Sequence, residues 1–132
     1  MTDILLVDDD KTHRVQIGGY LNRLQLPFQI AVNGKEAVEL IEKYHPRLIL
    51  LDVVMPEMDG FEVLQIVRSQ EQFSNVYIIM LTSLSQRNNI VKAIKMGADD
   101  YLTKPVDFDT LSQKVSQFFV RIGKKAMIHD KE

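Results

Sequence analysis

No cysteine occurs among the 132 residues, so disulfides, zinc–thiolate centres and thiol catalysis are excluded. No apolar stretch approaches the roughly 20 residues needed to cross a bilayer. Met1-Thr2-Asp3-Ile4 gives no basic lead into an apolar export segment. Charge of one sign is also missing: 16 basic residues against 18 acidic ones leave a net charge of −2. Such a chain has no general field for nucleic acid or anionic lipid, and the one local basic pair is Lys124-Lys125. Neither an internal repeat nor a low-complexity stretch is present. The expectation is a cytoplasmic protein without direct nucleic-acid or membrane binding.

What is present fits one ordinary globular domain, with 45% apolar and 26% charged residues and no length for a second independent core. Five short apolar runs punctuate the chain: Ile4–Val7, Phe28–Val32, Leu48–Leu51, Val76–Leu81 and the weaker Tyr101–Thr103. The first, third and fourth do not alternate with polar residues, as expected of strands buried on both faces of a parallel sheet. Between them lie segments with helical spacing. Ile17, Leu21 and Leu24 mark the first, although Gly18-Gly19 costs it about 1 kcal/mol per glycine relative to alanine. Ala37, Leu40 and Ile41 mark a second, opened by Asn33-Gly34 and closed before Pro46. Phe61, Leu64 and Val67 give a third that fades near Ser69. Ile90, Val91 and Ile94 give a fourth that ends at Gly97 as a left-handed cap. Leu111, Val115, Phe118, Phe119 and Ile122 give the fifth and clearest stripe. Strand and helix alternating five times predicts a single doubly wound α/β domain over residues 1–122. Residues 123–132, polar and without periodicity, read as a tail or the start of a linker.

The chemistry collects at one edge. Asp8, Asp9 and Asp10 follow the first run, Asp52 the third, Thr82 and Ser83 the fourth, and Lys104-Pro105 the last. In an open parallel sheet functional groups gather at the carboxyl ends of the strands. If the first and third strands are neighbours, carboxylates of Asp8 and Asp9 lie within several ångströms of Asp52. Like charges at that range raise one another's pKa, and a hard divalent cation with oxygen ligands relieves them. A carboxylate beside Mg²⁺, a lysine and a hydroxyl can accept a phosphoryl group.

At these residues the chain resembles the receiver domain of two-component response regulators, over about residues 3–122. The matching pieces are Ile4-Leu-Leu-Val-Asp-Asp9, Leu51-Asp-Val-Val-Met-Pro-Glu-Met-Asp-Gly60, Met80-Leu-Thr-Ser83 and Gly97-Ala-Asp-Asp-Tyr-Leu-Thr-Lys-Pro105. The resemblance implies a flavodoxin-like five-stranded sheet of order 2-1-3-4-5 with five helices. It makes Asp52 the phosphoacceptor, with Asp9 and Asp52 as direct Mg²⁺ ligands, Asp8 acting mostly through water and the Val54 carbonyl completing the set. Thr82 and Lys104 would contact the phosphoryl group, Tyr101 would be the aromatic switch, and the Lys104-Pro105 bond would be cis. The phosphoryl donor would be a phosphohistidine on a histidine kinase or a phosphotransfer protein. The downstream target is not named by the sequence. Any dimer would form through the face of helix 4, strand 5 and helix 5. Such a domain catalyses only its own phosphorylation and dephosphorylation, so it is not an enzyme in the usual sense. Apolar Val54 and Leu84, two after Asp52 and Thr82, predict slow loss of the phosphoryl group.

Each feature also has a plainer reading. Asp8-Asp9-Asp10 could simply cap the first helix, Thr82 could be a strand-end hydroxyl, Lys104 a solvated lysine, and Tyr101 a half-buried edge aromatic. His13, His45 and His129 lack ligand spacing and read as solvated. Of Phe118 and Phe119 one points away from the sheet, either against helix 4 or toward a partner. Two other functions compete. A phosphatase with an aspartyl-phosphate intermediate usually carries an aspartate two residues after its nucleophile, where this chain has Val54. A degenerate receiver would bind partners without phosphorylation, which retention of Asp8, Asp9, Asp52, Thr82 and Lys104 together argues against.

Overall fold

The computed structural model describes residues 3–83 and 87–131, with side chains described up to Arg121. Strand and helix alternate: β1 Ile4–Val7, α1 Lys11–Arg23, β2 Phe28–Ala31, α2 Gly34–Tyr44, β3 Leu48–Asp52, α3 Gly60–Arg68, a 3₁₀ turn Glu71–Phe73, β4 Tyr77–Ser83, α4 Arg87–Lys95, β5 Asp100–Lys104 and α5 Phe108–Lys131. The five strands form one sheet in the order β2-β1-β3-β4-β5, and every pairing is parallel. This is the doubly wound, flavodoxin-like arrangement.

The continuous apolar runs are buried on both faces, as their lack of alternation requires. Leu5, Val7, Ile49, Leu51, Ile78 and Met80 face one way, into a core shared with Ala37 and Ile41 of α2, Val63, Leu64 and Val67 of α3, and Ala93 of α4. Their neighbours Ile4, Leu6, Leu48, Leu50, Tyr77, Ile79 and Leu81 face the other way, onto Ile17 and Leu21 of α1 and Leu111, Val115 and Phe118 of α5. The period-two geometry of a strand accounts for the division. Burial weakens at the edges, in β2 and β5.

Caps and turns set the helix starts. Asp10, Asn33 and Asp59 each accept a main-chain N–H in the first turn of α1, α2 and α3, and Asp59 and Glu62 form a reciprocal capping box. Gly18 is explained by packing: a Cβ there would lie 3.0 Å from the Phe28 ring. Gly97 adopts φ +108°, the left-handed conformation expected where α4 stops.

Several expectations need correction. β4 continues through Ser83, so Thr82 lies within the strand rather than after it. The stripe read on α4 is turned: Val91 and Ile94 are exposed while Ala93 is buried, because the helix presents its small residue to the sheet. Phe118 and Phe119 pack on the α1 side, Phe118 fully buried and Phe119 partly so; α4 lies across the sheet. α5 runs from Phe108 to Lys131. Lys124, Lys125, Ala126 and Met127 are all good helix formers, and a helix already nucleated extends through them at little cost.

Candidate functional site

Register brings the polar strand ends together. Val7 pairs with Leu51, so Asp8 and Asp52 leave adjacent strands side by side. Asp52 pairs with Leu81, one residue before Thr82, and Ser83 pairs with Lys104. All three inner polar groups are withdrawn from solvent: Asp8 is 0% exposed, Asp52 4% and Thr82 3%, while Asp9 is exposed. Carboxylate oxygens of Asp8, Asp9 and Asp52 lie within 4.8 Å of one another. Lys104 Nζ donates to Asp52 Oδ1 at 2.9 Å and lies 3.1 Å from Asp8 Oδ2. Asp9, Asp52, Thr82 and Lys104 border a cleft of about 250 Å³ lined also by Asp10, His13, Val54 and Ser83.

Electrostatics follow from that crowding. Burial pushes the Asp52 carboxyl up, the Lys104 hydrogen bond opposes the rise, and the neighbouring Asp8 charge adds to it; the result is about 7. Burial lowers Lys104, but the Asp52 hydrogen bond and charge outweigh it, so the ammonium is held above its ordinary value. The His13 main-chain N–H holds Asp10 below the usual carboxylate range. Among the described residues, Asp8 Oδ2 and Thr82 Oγ1 are buried side-chain atoms with no hydrogen-bond partner. Buried polar atoms are normally satisfied, so the Thr82 hydroxyl is open to an incoming group, while Asp8 Oδ2 faces the Lys104 ammonium at 3.1 Å.

The loop after β3 presents Asp52 through close backbone packing. The Gly60 N–H donates to the Val53 carbonyl at 2.8 Å, and a Cβ on Gly60 would collide with the Asp52 carbonyl oxygen. Glu57, between Pro56 and Met58, turns the loop with φ +70°.

Asp8, Asp9, Asp52, Thr82 and Lys104 therefore converge as the sequence pattern anticipates. The plainer reading of the aspartate run holds for Asp10, which caps α1, while Asp8 is buried beside Lys104 and accepts from the Asp10 N–H through Oδ1. Val54 lies on the cleft wall with its side chain exposed. Tyr101 sits on β5 at 37% exposure, its ring turned outward with the Lys114 ammonium 5.4 Å from the centroid. The Lys104-Pro105 bond is cis. Leu84 lies outside the described residues. One site residue was missed: His13, read as solvated, reaches within 3.1 Å of Lys104 Nζ. Its signal was available. Side chains in a first helical turn lean back toward the N-terminus, which aims residue 13 of a helix capped by Asp10 at the aspartates.

Three carboxylates with oxygens within 4.8 Å of one another form a hard-oxygen donor set that fits a divalent cation such as Mg²⁺. Asp9 and Asp52 would hold it, with Asp8 acting mostly through water.

Comparison with known proteins now decides the family: the response regulator receiver domain matches residues 4–116. The chain belongs to that family. The receiver is 40% identical over 116 residues to a 14.6 kDa protein from the sodA1 3′ region of Leptolyngbya boryana, covering 88% of each chain. It resembles the receiver domain of a Francisella response regulator, with TM-score 0.82, 33% identity and coverage of 92% of this chain and 98% of that one. It also resembles the receiver domain of Ssk1 from Saccharomyces cerevisiae, solved with the histidine phosphotransfer protein Ypd1, with TM-score 0.80, 29% identity and coverage of 87% and 86%. The chain spans about half the length of several transcriptional regulators it matches. It is a receiver domain of two-component signalling.

Proposed function

We propose that this receiver accepts a phosphoryl group on Asp52 from a phosphohistidine of a histidine kinase or phosphotransfer protein, and that the modified site changes which partner it binds. The observation that carries the proposal is the convergence of Asp8, Asp9 and Asp52 within 4.8 Å, with Lys104 bonded to Asp52 and the Thr82 hydroxyl buried without a partner. An oxygen of Asp52 attacks phosphorus in line; the P–N bond of the donor breaks, and its electron pair returns to the imidazole, which takes a proton from solvent. Lys104 donates to a phosphoryl oxygen and balances its charge. Asp9, Asp52 and the Val54 carbonyl would hold Mg²⁺, with Asp8 acting mostly through water, and the ion would neutralise the transferring oxygens and relieve carboxylate repulsion. The Thr82 hydroxyl then has an acceptor, and its movement toward it opens room for the outward Tyr101 ring, a local event able to bias a two-state element.

The readout surface that fits is the face of α4, β5 and α5, where Val91, Ile94, Tyr101 and Val120 are exposed apolar groups; a dimer through this face belongs to the same proposal. No external substrate is turned over, and the setting is cytoplasmic. Apolar Val54 offers nothing to orient an attacking water, so the acyl phosphate is long-lived.

The test is incubation with Mg²⁺ and a small acyl-phosphate donor, followed by intact mass. A single phosphoryl adduct on the native chain and none on Asp52→Asn is the expected result. Absence of an adduct would support a phosphorylation-independent interaction module instead, and steady release of phosphate would support a phosphatase.

A further inference from the structure

His13 stands in the first turn of α1, where its own N–H is fixed by the Asp10 carboxylate at 3.0 Å and the helix start is tied back by Arg14 Nη1 donating to the Asp8 carbonyl at 3.0 Å. Its ring Nδ1 lies 3.1 Å from Lys104 Nζ, 3.7 Å from Asp8 Oδ2 and 3.8 Å from Asp10 Oδ1. An ammonium donates and cannot accept, so in the lysine contact Nδ1 is the acceptor and the ring proton sits on Nε2. Two N–H groups of Lys104 are thereby directed, one to Asp52 and one to His13. Asp8 Oδ2 lies 3.1 Å from the same ammonium and draws on its charge as Asp52 does.

We propose that His13 is a positioning residue for Lys104, keeping its amine over Asp52 when the carboxylates are engaged elsewhere. This rests on Asp52 being the phosphoacceptor. A lysine side chain loses substantial rotamer entropy when fixed. Without other ligands the carboxylates supply the attraction that fixes it. Once Asp8 and Asp52 are committed to a cation, or Asp52 carries a phosphoryl group, that attraction is weakened. The His13 ring belongs to a helix end tied by the Asp10 carboxylate and the Asp8 carbonyl, so its acceptor stays in place. With one N–H anchored on His13, the amine remains within reach of an incoming phosphoryl oxygen.

The experiment compares native protein with His13→Leu, which removes the acceptor, and His13→Asn, whose amide oxygen can occupy the place of Nδ1. Two measurements are made: the rate of phosphoryl adduct formation from a small acyl phosphate with Mg²⁺, in which the donor P–O bond breaks and its carboxylate leaves, and the mobility of the Lys104 ε-carbon by NMR relaxation in protein saturated with Mg²⁺. His13→Leu should slow the reaction about tenfold, the worth of one charge-assisted hydrogen bond, and loosen Lys104. His13→Asn should restore both to within about twofold of native by supplying that bond again. Equal rates and equal Lys104 rigidity in native and His13→Leu protein would overturn the proposal, as would His13→Asn behaving like His13→Leu. No adduct even on native protein would refute the Asp52 reading itself, a result visible before any variant is compared.

Discussion

Asp52 gives the most direct test at the level of a single residue. Its carboxyl titrates near 7 in the folded chain against an ordinary 3.8. Between about pH 4 and pH 7 the folded protein therefore retains a proton that the unfolded chain has released, so stability falls as pH rises through that window and levels off above it. Metal-free protein should lose on the order of a few kcal/mol across it, read from urea midpoints, and Asp52→Asn should abolish most of the slope while gaining stability at pH 8. A slope unchanged by that substitution would mean the strain lies elsewhere. The residue scale also holds the one site group that sequence reading misjudged. Asp8, Asp9, Asp52, Thr82 and Lys104 each follow or end an apolar run and could be placed at a common edge by that fact alone. His13 belongs to no run and no motif, and only the direction of a side chain in a first helical turn brings it to Lys104.

At the scale of elements, two joints hold the site in register. The first is α3 against the end of β3, where Gly60 leaves no room for a Cβ beside the Asp52 carbonyl. Gly60→Ala should cost about 3 kcal/mol, the upper range for overpacking against rigid neighbours, and urea denaturation would measure it. The second is Arg68 at the end of α3, which donates to the carbonyls of Gly97, Phe73 and Val76 and to Asp99. Burial lowers the Arg68 pKa, with the Asp99 charge opposing. Arg68→Ala leaves buried acceptors and a carboxylate without their donor, and should destabilise by about 2–4 kcal/mol. Arg121→Ala removes an exposed partner of Asp99, 3.0 Å away, and a guanidinium 5.2 Å from the Tyr77 ring centroid, and should cost less than about 1 kcal/mol. Equal losses in the two variants would show that Arg68 is no more than a surface ion pair. Element positions were legible from hydrophobic period, but the facing of α4 was not, because Ala93 and the larger Ile90, Val91 and Ile94 satisfy helical spacing on more than one side.

For the whole molecule, the site lies across four neighbouring strands, β1, β3, β4 and β5, so a ligand gathered there stabilises the fold as a unit. Mg²⁺ at a hundred times its dissociation constant should add about 2.7 kcal/mol, seen as a rise in melting temperature that chelator reverses. Asp9→Asn should reduce the rise and Asp52→Asn should remove most of it; a native protein whose melting temperature ignores Mg²⁺ would argue against a cation at this edge. The sequence by itself determined the class of fold, because uninterrupted apolar runs must be buried on both faces and intervening helices can only cover them. It also determined which residue types meet at the strand ends. Tertiary structure decided the rest: that β1 and β3 pair so that Asp8 and Asp52 crowd to within a cation's reach, that α1 and α5 share one face while α2, α3 and α4 share the other, and that a histidine stands against the lysine. Those outcomes depend on distances between segments far apart in the chain, and periodicity reports only which side of its own element a residue occupies.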